Sequence, residues 1–146
     1  MMRGNEITFI FDSCSENESL ARTVIAAFIA RMDPTLEELS DVKTAVSEAV
    51  TNAVIHGYEG QEGKITIHSQ IEGNTVYIEI SDQGVGIPDV ARAMEPLYTS
   101  KPEMERSGMG FAFMEAFMDD LEVVSEEREG TTVKMRKTIY SALNLS

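Results

Sequence analysis

Apolar residues recur along this chain with two periods, and the changes of period mark its elements. "EITFIF" at 6–11 alternates and is rich in β-branched and aromatic residues, which predicts a strand. "SENESLARTVIAAFIARM" follows, with a Ser/Asn capping region and then a helical period in which Leu20, Val24, Ala27 and Phe28 form the expected inward stripe. Asp33-Pro34 interrupts that pattern, and Thr35 with Glu38 three residues later has the spacing of a capping box. A second helical pattern runs from there to His56, closed by Gly57. "GKITIHSQIEGNTVYIEISD" is two alternating runs about a Glu-Gly-Asn turn, with Ile65, Ile67, Ile71, Val76, Ile78 and Ile80 facing inward. Periodicity then fails from Gly84 to Gly110, a stretch too long for an ordinary connection. "FAFMEAFMDD" predicts a helix, "LEVVSEEREGTTVKMRKTI" a closing hairpin, and "YSALNLS" a loose tail. The order β, α, α, β, β, long loop, α, β, β predicts an α+β fold, a two-layer sandwich of helices on a mostly antiparallel sheet.

Composition narrows the function. A chain of 146 residues is the size of one domain with its own core, so 1–146 is expected to be a single domain. A net charge of −13 is the wrong sign for gripping nucleic acid phosphates or an anionic membrane, and no basic cluster stands apart from the acidic background. The expectation is no direct nucleic acid contact and no membrane. Cys14 is the single cysteine and forms no internal disulfide, and neither a signal-peptide core nor a spanning segment opens the chain, so a soluble cytoplasmic protein is expected.

Candidate chemistry enters with "VSEAVTNAVIHGY" at 46–58. Glu48, Asn52 and His56 recur every four residues, so an acid, an amide and an imidazole line one stripe of an otherwise apolar helix. Two glycine clusters, "DQGVGIP" at 82–88 and "SGMGF" at 107–111, flank the aperiodic stretch. Glycine permits positive φ and lets a phosphate approach main-chain N–H groups, and a helix opening directly after "SGMG" offers free N–H groups and a positive dipole end. Neither cluster fits the P-loop or dinucleotide fingerprints, and each alone reads as a turn.

Taken in order, the helix with Glu and Asn four apart, Asp-x-Gly-x-Gly at a strand end, the long loop, Gly-x-Gly opening a helix and "GTT" in the last hairpin resemble the ATPase family of gyrase, heat-shock 90 chaperones, histidine kinases and MutL. The resemblance spans Glu48 to Thr132 and implies a Bergerat-type ATP-binding fold with a lid at about 87–107. It implies that Asn52 ligates Mg²⁺, that Asp82 accepts from the adenine amino group, and that Gly84 and Gly86 let adenine approach. Ser107, Gly108, Met109 and Gly110 then wrap the phosphates, Thr131 or Thr132 supports the adenine pocket, and Lys101 and Arg106 reach phosphate from the lid. The chemistry agrees: Mg²⁺ takes few protein oxygens beside phosphate and water, and a carboxylate, which only accepts, suits an amino donor. Glu48, one turn before Asn52, has the position of a base for a hydroxyl attacking the γ-phosphate. His56 reads as a helix-end residue, and His68, on a strand, as structural.

"SENESLAR", "SEAVTNAVIHGY", "GVGIPD", "TSKPEMERSGMGF" and "EGTTV" resemble the anti-sigma-F serine kinases of sporulating bacteria. That resemblance implies ATP and Mg²⁺ as cofactors and a homodimer that sequesters a sporulation sigma factor, sigma-F in type. It also implies an anti-anti-sigma factor as the serine substrate, with Arg22 on the partner-docking helix. A non-catalytic ATP-gated binding module and the related stress-response anti-sigma kinase are the alternatives.

Overall fold

The computed structural model describes residues 4–87, 90, 94 and 110–140. Strand β1 (Asn5–Asp12) leads into helix α1 (Glu16–Ile29), a 3₁₀ turn (Ala30–Met32) and helix α2 (Leu36–Asn52). Strands β2 (Lys64–Glu72) and β3 (Thr75–Asp82), helix α3 (Gly110–Phe117), and strands β4 (Asp120–Glu126) and β5 (Gly130–Thr138) follow. The five strands pair in the order β1-β2-β3-β5-β4, every neighbour antiparallel. The fold class is therefore as the sequence predicts.

Period-2 patterning places one face of this sheet against the helices. Ile65, Ile67, Ile71, Val76, Ile78 and Ile80 are all buried there, with Val133 and Met135 of β5. Ser69 occupies an inward position among these isoleucines, and its hydroxyl donates to the Tyr77 carbonyl at 2.8 Å, which satisfies it. Helix α2 contributes Val42, Ala45, Val46, Ala49 and Val50, and packs between α1 and α3. Its start is the expected capping box: the Glu38 N–H donates to Thr35 Oγ1 at 3.1 Å, and the Thr35 N–H donates to Glu38 Oε1 at 2.9 Å.

Two expectations about helices are corrected. The inward stripe of α1 is Ala21, Ile25 and Ile29, while Leu20 is 49% exposed and Ala27 faces solvent. Both stripes have helical spacing, and the competition is decided by which one meets α2, where the β-branched isoleucines bury most. Ser15 makes no side-chain cap for α1, and Asn17 instead donates from its amide to the Asp12 carbonyl at 2.9 Å, tying the helix to the end of β1. His68 is structural as read, but with partners: Thr8 Oγ1 lies 2.7 Å from Nδ1, and Glu6 Oε2 lies 3.4 Å from Nε2.

Candidate functional site

Along β3 the inward positions run Val76, Ile78, Ile80 and then Asp82; along β5 they run Met135, Val133 and then Thr131; along β4 they run Leu121, Val123 and then Ser125. Three apolar rows thus end in polar residues at the same end of the sheet. Register makes this one cross-strand row, with Asp82 opposite Thr131 and Thr131 opposite Ser125. Asp82 is 6% exposed and Thr131 4%. Thr132, opposite Ser81, lies on the other face of the sheet, where the two hydroxyl oxygens are 3.0 Å apart. Of the two threonines, only Thr131 shares the face of Asp82.

Burial pushes the Asp82 carboxyl above its ordinary value of 3.8, and the backbone N–H groups of Gly84 and Thr131 partly oppose that by donating to it. The Gly84 N–H lies 2.9 Å from Oδ1. A chain that buries a carboxylate at a cost in solvation holds it in one geometry with few donors, which suits recognition of an external donor.

Helix α2 reaches this row by a change of winding. After Asn52 the chain takes one π-helical turn, Ala53–Gly57, of the kind often found where a helix serves a site. The change of winding falls between Asn52 and His56, and His56 is the basic residue of the last turn. Glu48 and Asn52 are both half-buried.

Gly57 closes the turn without a left-handed conformation; the positive φ falls later, at Glu59 (54°) and Gly60 (78°). A Cβ on Gly57 would stand 2.9 Å from Cγ and both carboxyl oxygens of Asp82. The end of α2 is therefore the floor beneath the carboxylate. Gly84 in turn packs on the Gly57 peptide, where a side chain has no room, and the Val85 N–H donates to the Gly57 carbonyl at 2.8 Å. Gly86, at φ 79°, packs on the Glu126 backbone.

Tyr58 and Ser125 complete the frame, and sequence patterning alone did not single them out. The Tyr58 hydroxyl donates to the Lys64 carbonyl at 2.6 Å and accepts from the Gln83 N–H at 2.8 Å, joining the ends of α2, β2 and β3. Ser125 Oγ accepts from the Ile87 N–H at 2.7 Å and lies 2.8 Å from Thr131 Oγ1. The signal for Ser125 was present in "LEVVSE", where alternation puts a hydroxyl at an inward position. For Tyr58 there was none, because its partners are backbone groups distant in sequence.

Lys101, Arg106, Ser107, Gly108 and Met109, with most of the lid at 87–107, lie outside the described residues. Gly110 is the first residue of α3. Arg22 pairs with Glu18 at 3.3 Å along α1, its side chain 41% exposed and that of Glu18 19%. Among the described residues no group of three or more His, Cys, Asp or Glu gathers as a metal cage, and no helix is long and apolar enough to cross a membrane. The single amide of Asn52 fits Mg²⁺ carried largely by phosphate and water.

The chain belongs to the histidine kinase-like ATPase domain family, whose family model matches residues 12–137. Its relatives within that family include anti-sigma F factors. The one from Clostridium kluyveri is 54% identical over 140 residues, covering 96% of this chain and 99% of its own. Those of Clostridium botulinum and Thermoanaerobacter are 58% and 56% identical over 137 residues, covering 93% and 94% of this chain and 96% of theirs. Two solved structures share the fold. The RsbU and RsbW domains of a Mycobacterium tuberculosis protein match 92% of this chain and 32% of that one, with a TM-score of 0.67 at 19% identity. The nucleotide-free catalytic domain of the histidine kinase ThkA matches 94% of this chain and 98% of its own, with a TM-score of 0.56 at 16% identity.

Proposed function

We propose that this anti-sigma factor is an ATP-dependent protein serine kinase that binds Mg-ATP, sequesters a sporulation sigma factor of the sigma-F type, and phosphorylates an anti-anti-sigma protein. The observation that carries the reading is the buried carboxylate of Asp82, held by two backbone donors on a floor that only glycine can provide. An acceptor-only group in that setting suits the adenine amino group. Thr131 and Ser125 extend the same row and support the pocket wall. Gly84 brings the following turn close to the end of α2, and Gly86 brings it onto the end of β4.

Asn52 would supply its amide oxygen to Mg²⁺, and the nucleotide supplies the γ-phosphoryl group that the reaction transfers. Glu48, one turn earlier, accepts the proton of the acceptor serine as its oxygen attacks, so the hydroxyl becomes nucleophilic where it is oriented. Ser107, Gly108, Met109 and Gly110 offer main-chain N–H groups to the phosphates, and Lys101 and Arg106 offer cations from the lid. Outside the site, Arg22 projects from α1 toward a partner, and two copies form the working dimer. The names of the relatives support the sigma partner.

The test is to incubate the purified protein with Mg-ATP and the candidate anti-anti-sigma protein, then search the latter by mass spectrometry for phosphoserine. Phosphoserine that depends on ATP supports the kinase. ATP binding without any phosphoserine favours the non-catalytic gated module, and phosphorylation of only a stress-response partner favours the other anti-sigma kinase.

A further inference from the structure

Lys137 lies in β5, six residues beyond Thr131, with its side chain only 11% exposed. A buried ammonium needs partners for its donors. Its Nζ donates to the Phe117 carbonyl at 2.7 Å and stands 3.8 Å from Asp41 Oδ2. Phe117 is the last residue of α3, and Asp41 lies in the first half of α2. The amine therefore sits at the negative end of the α3 dipole, satisfies a carbonyl that has no partner within the helix, and joins that helix end to α2 and the sheet.

The same end is fixed a second time. The Thr138 N–H donates to Asp119 Oδ2 at 2.7 Å, and the Asp119 N–H donates to the Arg136 carbonyl at 2.9 Å. Helix α3 has eight residues, about 12 Å at 1.5 Å each. Its apolar residues Phe111 and Met114 are buried, and it packs on α2. What the tie at Phe117 fixes is how far this short rod can slide along α2. Its other end is Gly110, and the second half of α2 carries Glu48 and Asn52. The row of Asp82, Thr131 and Ser125 is held by bonds that do not involve α3.

We infer that Lys137 is a positioning residue for the phosphate end of the nucleotide site: it sets the height of α3 on α2, and so the spacing between Gly110, which opens α3, and Asn52 on α2. The inference rests on the ATP reading above. It separates the two ends of the ligand, since adenine is read on β3 while phosphate depends on α3.

Lys137→Met keeps the aliphatic stem and removes the donors. Titrating the full chain with Mg-ATP and with adenosine should show Mg-ATP affinity reduced by about 10-fold, a coupling of about 1.4 kcal/mol between helix position and phosphate binding. Adenosine affinity should hold, and Lys137→Arg should recover part of the loss. Asp41→Asn keeps the Phe117 bond and should give a smaller change in the same ratio, which carries the test if Lys137→Met does not fold. An unchanged ratio of the two affinities in folded variants overturns the inference and leaves the ATP reading standing. A wild-type chain that binds neither ligand removes both.

Discussion

Gly57 shows how one missing side chain can define a site. Its Cα faces the Asp82 carboxyl closely enough that Gly57→Ala must displace either the end of α2 or the carboxylate. Overpacking of this kind costs about 1–3 kcal/mol. Gly57→Ala should lower the melting temperature and weaken ATP binding together; a melt and a titration with full wild-type values would show that the site tolerates the methyl. Asp82 adds a pH signature. Its folded pKa is raised, so between the ordinary value of 3.8 and the raised one the folded chain binds more protons than the unfolded chain. The stability that Asp82 contributes is thus present at low pH and is lost as pH rises through the raised value. On the proposed reading, adenine binding runs the other way, because the ionised carboxylate only accepts while the protonated one also presents a donor to the amino group, and affinity should fall as pH drops through the same value. Asp82→Asn should flatten both profiles, measured by melts and by titrations across the acid range; a binding profile that keeps its acid limb in Asp82→Asn would assign that limb to another group.

At the scale of elements, most boundaries were legible because each has a local cause. The capping box at Thr35 and Glu38 and the alternation of β2, β3, β4 and β5 are written in adjacent residues. The inward face of α1 was misread because Leu20, Val24, Ala27 and Phe28 are as regularly spaced as Ala21, Ile25 and Ile29, and only packing against α2 distinguishes them. The π turn after Asn52 was not legible, since no residue type in "AVIHG" encodes it; tertiary packing of Gly57 under Asp82 accompanies it. Glu48, Asn52 and Asp82 were nominated from spacing, strand position and the family resemblance, and the structure buries Asp82 in the polar row, whereas Tyr58 was missed because its partners are backbone groups distant in sequence. The winding change leaves Asn52 as the last regular residue of α2, and Asn52→Ala tests its proposed metal role. A ligand at 100 times its dissociation constant adds about 2.7 kcal/mol of stability, and the Mg²⁺-dependent part of that gain should disappear in the mutant. An intact Mg²⁺-dependent thermal shift would assign the metal elsewhere.

For the whole molecule, the proposed division of labour is between a sheet end that would read the base and a helix, α2, that carries the acid and amide, with α1 packed on α2. Arg22 is on α1 in an acidic chain, paired with Glu18. If it anchors the sigma factor, Arg22→Ala should weaken that complex by about 2 kcal/mol, roughly 30-fold, and leave ATP affinity unchanged. A pull-down with wild-type retention would remove the docking role, and loss of ATP affinity would place the helix in the nucleotide site instead. The central claim is that Glu48 turns a nucleotide site into a kinase, and a paired assay of Glu48→Gln measures it most directly. Mg-ATP affinity and the rate of phosphoserine formation on the anti-anti-sigma protein are determined for wild type and mutant side by side. Affinity should be nearly unchanged while the rate falls by about 10²-fold or more, since an amide of the same shape cannot accept the serine proton; a mutant that phosphorylates at the wild-type rate would contradict the account.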